Sequence, residues 1–141
     1  MASLISDRAR ALVGTVLARG RREIERGAQR VYLEALGDSN PLWDEGLCPP
    51  TFLGGPGGNY PEGQPVEIPD LPPTRLNGGQ EVAWRRPLRV GETLRYEMRL
   101  ASLEERPGRT GPMVFLVRET VFWDTAGAEV ARARITVIAR P

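Results

Sequence analysis

The sequence contains no histidine and no lysine, so all 19 of its basic residues are arginine. Without an imidazole, the chain has no histidine to act as a general base, a nucleophile or a metal ligand. Its single cysteine, Cys48, excludes an internal disulfide and a zinc site built from cysteine and histidine. No apolar run approaches the roughly 18–20 residues of a membrane-spanning helix. We therefore expect no metal, no other cofactor and no membrane association.

Charge is also nearly balanced, with 19 basic against 18 acidic residues and a formal net charge of +1. This balance excludes a polybasic arm or an acidic tail and argues against a nucleic-acid partner. A length of 141 residues predicts one domain, which can bury roughly 70% of its unfolded surface. Asp7, Arg8, Arg10 and Gly14 interrupt the N-terminal apolar residues, so no signal-peptide pattern is present and a cytoplasmic location is expected.

One helix is predicted near the N-terminus, over residues 26–36. Apolar residues recur there at i, i+3, i+4, i+7 and i+8, which is the spacing of one helical face. Gly37 and Pro41 then end the helix. Residues 9–17 are compatible with a helix or a strand, and residues 1–20 are interpreted as an N-terminal extension of unassigned role.

A long connection follows, and the predicted Pro/Gly-rich loop covers residues 44–79. It carries eight prolines between Pro49 and Pro73 and eight glycines between Gly46 and Gly79. Proline lacks a backbone donor and glycine is entropically costly to order, so neither a helix nor a strand is expected there. A loop of this length inside a compact domain is usually functional or partly disordered.

The C-terminal half predicts four antiparallel strands, at 81–88, 93–100, 113–123 and 130–138. Strict alternation at 93–100 and 130–138 is typical of half-buried strands, and the continuous apolar run at 113–123 is typical of a central strand. The predicted fold class is α+β, with the sheet wrapped on the helix at 26–36. The long apolar strands also suggest burial in a dimer.

The densest polar cluster is Gly-Asp-Ser-Asn-Pro-Leu-Trp at 37–43. By itself it is typical of a helix stop, because glycine, asparagine and aspartate favour turns and proline cannot continue a helix.

Together with Pro-Pro-Thr-Phe at 49–52, this cluster resembles the hydratase motif of the MaoC-like hotdog proteins. Three further segments resemble the branch of that family that includes fatty-acid-synthase dehydratases: Leu-Asn-Gly-Gly-Gln-Glu-Val at 76–82, Arg-Pro-Leu-Arg-Val-Gly-Glu-Thr-Leu at 86–94, and the basic Gly-rich turn at 106–115. The resemblance extends over residues 24–137. It implies a single hotdog domain, acyl-CoA or acyl-carrier-protein thioesters as substrates, and reversible hydration of a trans-2-enoyl group.

The resemblance places the family's catalytic aspartate at Asp38, its asparagine at Asn40 and its histidine at Trp43. An indole donates a hydrogen bond but accepts no proton. Loss of a positioned general acid or base typically costs about 10²–10⁴-fold in rate. On this interpretation Asp38 and Asn40 are vestigial motif positions. The family includes halves without the catalytic pair, which widen the acyl pocket and complete a dimer.

This departure predicts a supporting, non-catalytic subunit of a heteromeric (R)-specific enoyl-CoA hydratase or 3-hydroxyacyl-thioester dehydratase. A catalytic MaoC-like partner would supply the Asp/His pair in a heterodimer or heterotetramer. The Gly-Gly-Pro-Gly-Gly run at 54–58 cannot form the family's central helix, which leaves room for a bulky acyl chain beside the sheet.

Four other residues are candidates for substrate binding. Gly78 and Gly79 would let a thioester approach the backbone, or would form a bulge at the start of a strand. Arg85 and Arg86 would neutralise CoA phosphates, or would be solvated charges at a strand edge.

Two other functions remain open. One is a self-sufficient homodimeric hotdog hydratase or thioesterase that uses Asp38, or Glu81, as its base. The other is a non-enzymatic module that binds an acyl thioester.

Overall fold

The computed structural model describes residues 2–54 and 65–141, and its centre is one antiparallel five-stranded sheet. The strands are β1 (Val16–Glu23), β2 (Thr74–Trp84), β3 (Thr93–Gly108), β4 (Gly111–Trp123) and β5 (Glu129–Arg140), in the order β1-β3-β4-β5-β2. The helices are α1 (Asp7–Arg10) and α2 (Arg26–Leu36), and two 3-10 turns lie at Pro41–Trp43 and Phe52–Gly54. The predicted α+β class and the helix at 26–36 are confirmed.

The first strand was not predicted. Residues 16–23 pair antiparallel with β3 and form one edge of the sheet, so the N-terminal extension assigned to 1–20 is too long. Leu17 and Gly20 are buried, but three of the eight residues of this strand are arginines and one is glycine, which hides the alternation that marks a strand.

The predicted loop at 44–79 also ends too late, because β2 begins at Thr74. The two glycines that argued for a loop lie inside this strand at a bulge, where the register against β5 shifts between Asn77 and Gly79. The strand predicted at 81–88 accordingly starts earlier and stops at Trp84. Most of the Gly-rich run expected to replace a central helix, residues 55–58, lies outside the described residues.

The inward face of the sheet carries the core. Leu94, Tyr96, Met98 and Leu100 on β3 are buried, as their alternation predicts. The side chains over this face come from three places: α1 and the segment just before it, the segment at 48–53, and residue 68. They are Ile5, Ala9, Cys48, Phe52, Leu53 and Ile68.

Helix α2 supplies less of this cover than its apolar pattern suggests. Its Tyr32 packs against the core and Gln29 is buried, but Val31 is 68% exposed and Leu36 is 52% exposed. The side of α2 that packs against the core is therefore displaced by one residue from the apolar face that the sequence predicts for this helix.

The outer face of β4 is screened by arginine side chains. The guanidinium of Arg95 lies 4.4 Å from the ring centroid of Trp123, and that of Arg106 lies 4.5 Å from that of Phe115. These cation–π contacts cover apolar rings while the charges stay in water.

Candidate functional site

The turn after α2 holds the two polar motif residues. Gly37 closes the helix with φ +67, and its N–H donates to the carbonyl of Glu34. Asp38 accepts a hydrogen bond from the backbone N–H of Asn40 at 3.0 Å, and Asn40 in turn accepts one from the N–H of Leu42 at 3.0 Å. Asn40 thereby caps the 3-10 turn that ends at Trp43, and both side chains are exposed. The geometry thus matches the helix-stop interpretation of this cluster.

A buried glutamine ties this turn to α2. Gln29 is 1% exposed, and its Nε2 donates to the carbonyl of Trp43 at 2.9 Å and to that of Leu47 at 2.6 Å. Because the buried amide of Gln29 needs acceptors and these two carbonyls supply them, Gln29 fixes the path of residues 43–47. Sequence reasoning missed this residue, whose only signal is its spacing of three and four residues from Tyr32 and Leu33.

The second motif segment also contacts α2. The hydroxyl of Tyr32 hydrogen-bonds to Thr51 Oγ1, and its ring meets Phe52 edge-on with centroids 5.5 Å apart. Arg22 on β1 donates to the carbonyls of Leu53 at 3.3 Å and Phe52 at 3.5 Å. Both motif segments are therefore anchored to the same helix.

A cleft of about 320 Å³ opens next to the second motif segment. A backbone hydrogen bond joins two of its lining residues, since the N–H of Cys48 donates to the carbonyl of Leu88 at 3.0 Å. Its lining residues are Cys48, Pro50, Trp84, Arg85, Arg86, Pro87 and Leu88.

Burial raises the pKa of the Cys48 thiol to about 11, with the negative charge of Glu92 adding to the shift and Arg22 opposing it. The thiol is therefore protonated at neutral pH, and a cysteine nucleophile is not supported.

Arg86 is held by carboxylates of this chain. Its guanidinium donates to both oxygens of Glu92, at 2.5 and 3.1 Å, and to Asp124 at 3.5 Å. Burial opposes the ionisation of Glu92, but hydrogen bonds from Arg86 and from the N–H of Arg89 outweigh it and lower the Glu92 pKa. Arg85 pairs with Glu129 at 3.3 Å. Both arginines lie at the cleft, and both are already neutralised, so binding of CoA phosphates by them stays a prediction.

Gly78 and Gly79 form the bulge of the edge strand. A Cβ at Gly78 would lie 3.0 Å from side-chain atoms of Ile138 and Thr136. Gly79 has φ +139, and its N–H donates to Asn77 Oδ1 at 3.1 Å. Five residues along the same strand separate Gly79 from Trp84, roughly 17 Å. The structure does not bring these glycines to the cleft, and their contact with a thioester stays a prediction.

Residues 2–54 and 65–141 hold no group of three or more His, Cys, Asp or Glu side chains placed to bind a metal ion. No helix in those ranges has the length and apolar character needed to cross a membrane.

Comparison with known families gives one match, to the family described as FAS1-like, dehydratase domain region, over residues 11–133. No curated protein matches the sequence.

Several solved structures share the fold. A chain of the C-terminally truncated HadBC (3R-hydroxyacyl-ACP dehydratase) complex from Mycobacterium tuberculosis aligns with a TM-score of 0.70 and 18% identity, over 91% of this chain and 97% of that one. A chain of the ChsH1-ChsH2 complex from the same organism aligns with a TM-score of 0.62 and 18% identity, over 86% and 80%. The R-hydratase PhaJ1 from Pseudomonas aeruginosa aligns with a TM-score of 0.58 and 17% identity, over 90% and 81%. These alignments confirm the hotdog fold.

Proposed function

The chain belongs to the FAS1-like dehydratase family of MaoC-like hotdog proteins, and on that premise we propose that it is the supporting subunit of a heteromeric enoyl-thioester hydratase or 3-hydroxyacyl-thioester dehydratase. A partner chain of the same family supplies the Asp/His pair, and this chain shapes the acyl pocket. The observation that carries the proposal is Trp43, which stands at the histidine position of the motif in a chain with no histidine at all.

Hydration of an enoyl thioester needs two proton transfers. A base takes a proton from the attacking water, and an acid delivers a proton to the α-carbon. Trp43 contributes a donor only, and its Nε1 is buried without a hydrogen-bond partner among the described residues. Asp38 is exposed and engaged by the N–H of Asn40. Half of the required acid–base pair is absent, which favours a partner that carries both halves.

The sheet offers an edge for such a partner. β2 is the last strand on its side and is exposed along most of its length, and among the described strands it pairs with β5 alone. An exposed strand of 11 residues presents unpaired N–H and C=O groups to another chain. Two of the similar structures are complexes of two different chains, HadBC and ChsH1-ChsH2. A second hotdog chain paired along β2 would extend the sheet.

The test is a paired hydration assay. This chain is purified alone and also co-expressed with a MaoC-like chain that carries the Asp/His motif. Loss of enone absorbance from crotonyl-CoA and from a longer enoyl-CoA measures activity. We expect activity only in the co-purified complex, lost when the partner's motif histidine is replaced.

Asp38→Asn in this chain separates the alternatives, with Asp44→Asn as a matched control because Asp44 is a neighbouring exposed carboxylate. The supporting role predicts that both variants of the complex retain activity. Activity of this chain alone, abolished by Asp38→Asn and kept by Asp44→Asn, would overturn the proposal in favour of a self-sufficient hydratase or thioesterase. Saturable thioester binding without turnover in any mixture would indicate a binding module instead.

A further inference from the structure

An arginine points into the domain from the middle of the sheet. Along β4, Leu116 and Thr120 are 2% and 7% exposed, so Arg118 between them faces inward by the alternation of a strand. The register agrees, because Arg118 lies opposite Leu100 on β3 and opposite Ile135 on β5. Leu100 is fully buried, and directly opposed residues of an antiparallel pair share a face. A charged side chain therefore stands on the face that otherwise carries the core.

This guanidinium has no counter-charge within the described part of the chain. None of the ion pairs and hydrogen bonds there includes Arg118, and its Nε is buried without a partner. By contrast, Arg132 and Arg134 on the outer face of β5 both pair with Glu119. A guanidinium stays charged in proteins, and taking it out of water without a counter-ion is costly. An anion bound to Arg118 would relieve that cost.

The side chains around Arg118 show how an anion would reach it. Arg118 and Ile135 belong to one row of inward side chains, which ends at Gln80 on the edge strand β2. Exposure rises along this row from buried Leu100 to exposed Gln80, and Arg118 lies half-buried between them. Nε is the only nitrogen of this guanidinium that is both closed to solvent and unpartnered among the described residues. The terminal nitrogens are therefore accessible, from the side of the β2 edge.

Apolar residues flank the arginine on both sides along its own strand. One apolar cluster of the core ends on β4 at Leu116, and the other begins at Phe122. Arg118 and Thr120 occupy the gap between the two clusters. A planar carboxylate matches a guanidinium with two parallel hydrogen bonds, and an alkyl chain attached to it would contact the apolar residues beside it. A single cation between apolar neighbours suits one carboxylate better than the several charges of the CoA phosphates.

We propose that Arg118 binds the free carboxylate at the far end of an acyl group, so that the preferred ligands are thioesters of dicarboxylic acids. The inference rests on the proposed function, because it takes an acyl thioester as the ligand of this chain. It adds a substrate class: acyl groups that end in a carboxylate, preferred over hydrocarbon chains of equal length.

The test compares adipoyl-CoA with hexanoyl-CoA, whose acyl groups have equal length and end in a carboxylate and a methyl group. Isothermal titration calorimetry of the purified chain measures both dissociation constants, with free CoA titrated alongside. We expect adipoyl-CoA to bind about tenfold more tightly than hexanoyl-CoA, as a charge-assisted pair of hydrogen bonds allows. Equal affinities, or no binding of either thioester, would overturn the inference without any variant.

Arg118→Gln removes the charge and should bring the two affinities together by weakening adipoyl-CoA alone. The matched control is Arg134→Gln, which removes the same charge from the outer face of the neighbouring strand, where Arg134 pairs with Glu119 at 3.6 Å. The tenfold preference should persist in this control. A preference that survives Arg118→Gln would contradict the inference. Equal weakening of adipoyl-CoA, hexanoyl-CoA and free CoA would also overturn it, because Arg118 would then bind the CoA phosphates.

The paired hydration assay decides the proposed function separately. An active co-purified complex together with equal affinities would remove Arg118 as an acyl contact and leave the supporting-subunit proposal standing. A tenfold preference of the chain together with an inactive complex would keep the carboxylate site and end the supporting-subunit proposal.

Discussion

Replacement of Gln29 by methionine would test whether this glutamine fixes the path of the motif segment. Methionine has nearly the same length and helix propensity as glutamine, so α2 itself should be little affected. The substitution removes both donors to the carbonyls of Trp43 and Leu47, which lie 2.9 and 2.6 Å from Nε2.

The expected loss of stability follows from the two carbonyls. A buried polar group left without its partner costs about 1–3 kcal/mol. Trp43 and Leu47 are only half-buried, so water can partly replace the lost donors. Taking the lower part of that range for each carbonyl, we expect Gln29→Met to reduce the free energy of unfolding by about 2–3 kcal/mol. For a chain of this length the melting temperature should fall by about 6–9 °C.

Urea unfolding followed by far-UV circular dichroism measures this change. The midpoint should fall while the slope m stays the same, because the surface exposed on unfolding is unchanged. Gln80→Met is the control, since Gln80 is exposed on β2 and should change the unfolding free energy by less than about 0.5 kcal/mol. An equal effect of the two substitutions would refute the reasoning that Gln29 anchors residues 43–47.

Three further predictions concern the ion pair, the bulge and the thiol. Arg86→Met removes the ion pair with Glu92 and should lower the free energy of unfolding by about 1 kcal/mol at pH 7, a value reduced for the partial exposure of Arg86. Because the Glu92 pKa is lowered in the folded chain, this stabilisation is present above the unfolded pKa of about 4.3 and is lost as pH falls through the folded pKa. Urea unfolding measured from pH 7 to pH 3 should therefore show the unfolding free energies of the wild type and of Arg86→Met converging. Gly79→Ala should lower the free energy of unfolding by about 1–2 kcal/mol, because Gly79 has a φ of +139 that alanine rarely adopts. Its control is Gly27→Ala in α2, where nothing lies near the added Cβ; in the same urea assay this variant should be as stable as the wild type or more stable. Cys48 should react with Ellman's reagent at pH 8 at least about tenfold more slowly in the folded chain than in urea, since its thiol is buried and its pKa is about 11; equal rates would contradict its burial.

β3 and β5 were predictable because their residues alternate with a period of two, and β4 was predictable because it is a long, nearly continuous apolar run. Leu94, Tyr96, Met98 and Leu100 all face the core as their alternation requires. β1 was not predictable in this way, since one of its buried positions is Gly20 and three of its eight residues are arginines. The start of β2 was hidden for a different reason: a bulge at Gly79 accommodates residues that elsewhere mark loops.

The candidate site was only partly predictable. The motif at 37–43 lies in a turn after α2, and both motif segments contact that helix, in keeping with their spacing. Gln29 could not be assigned, because its partners lie 14 and 18 residues away and a polar residue in a helix is ordinarily exposed. The cleft depends on Cys48 and Trp84, which are 36 positions apart and meet only after the sheet has formed.

The exposed edge of β2 has a consequence for how this protein must be made. The strand Thr-Arg-Leu-Asn-Gly-Gly-Gln-Glu-Val-Ala-Trp contains no proline and no lysine, and the bulge at Gly79 is its main irregularity. Edges of this kind invite pairing between identical chains and aggregation. Copies whose β2 edge stays uncovered would therefore self-associate or precipitate, and on the proposed heteromeric assembly co-expression of the partner should raise the soluble yield of this chain.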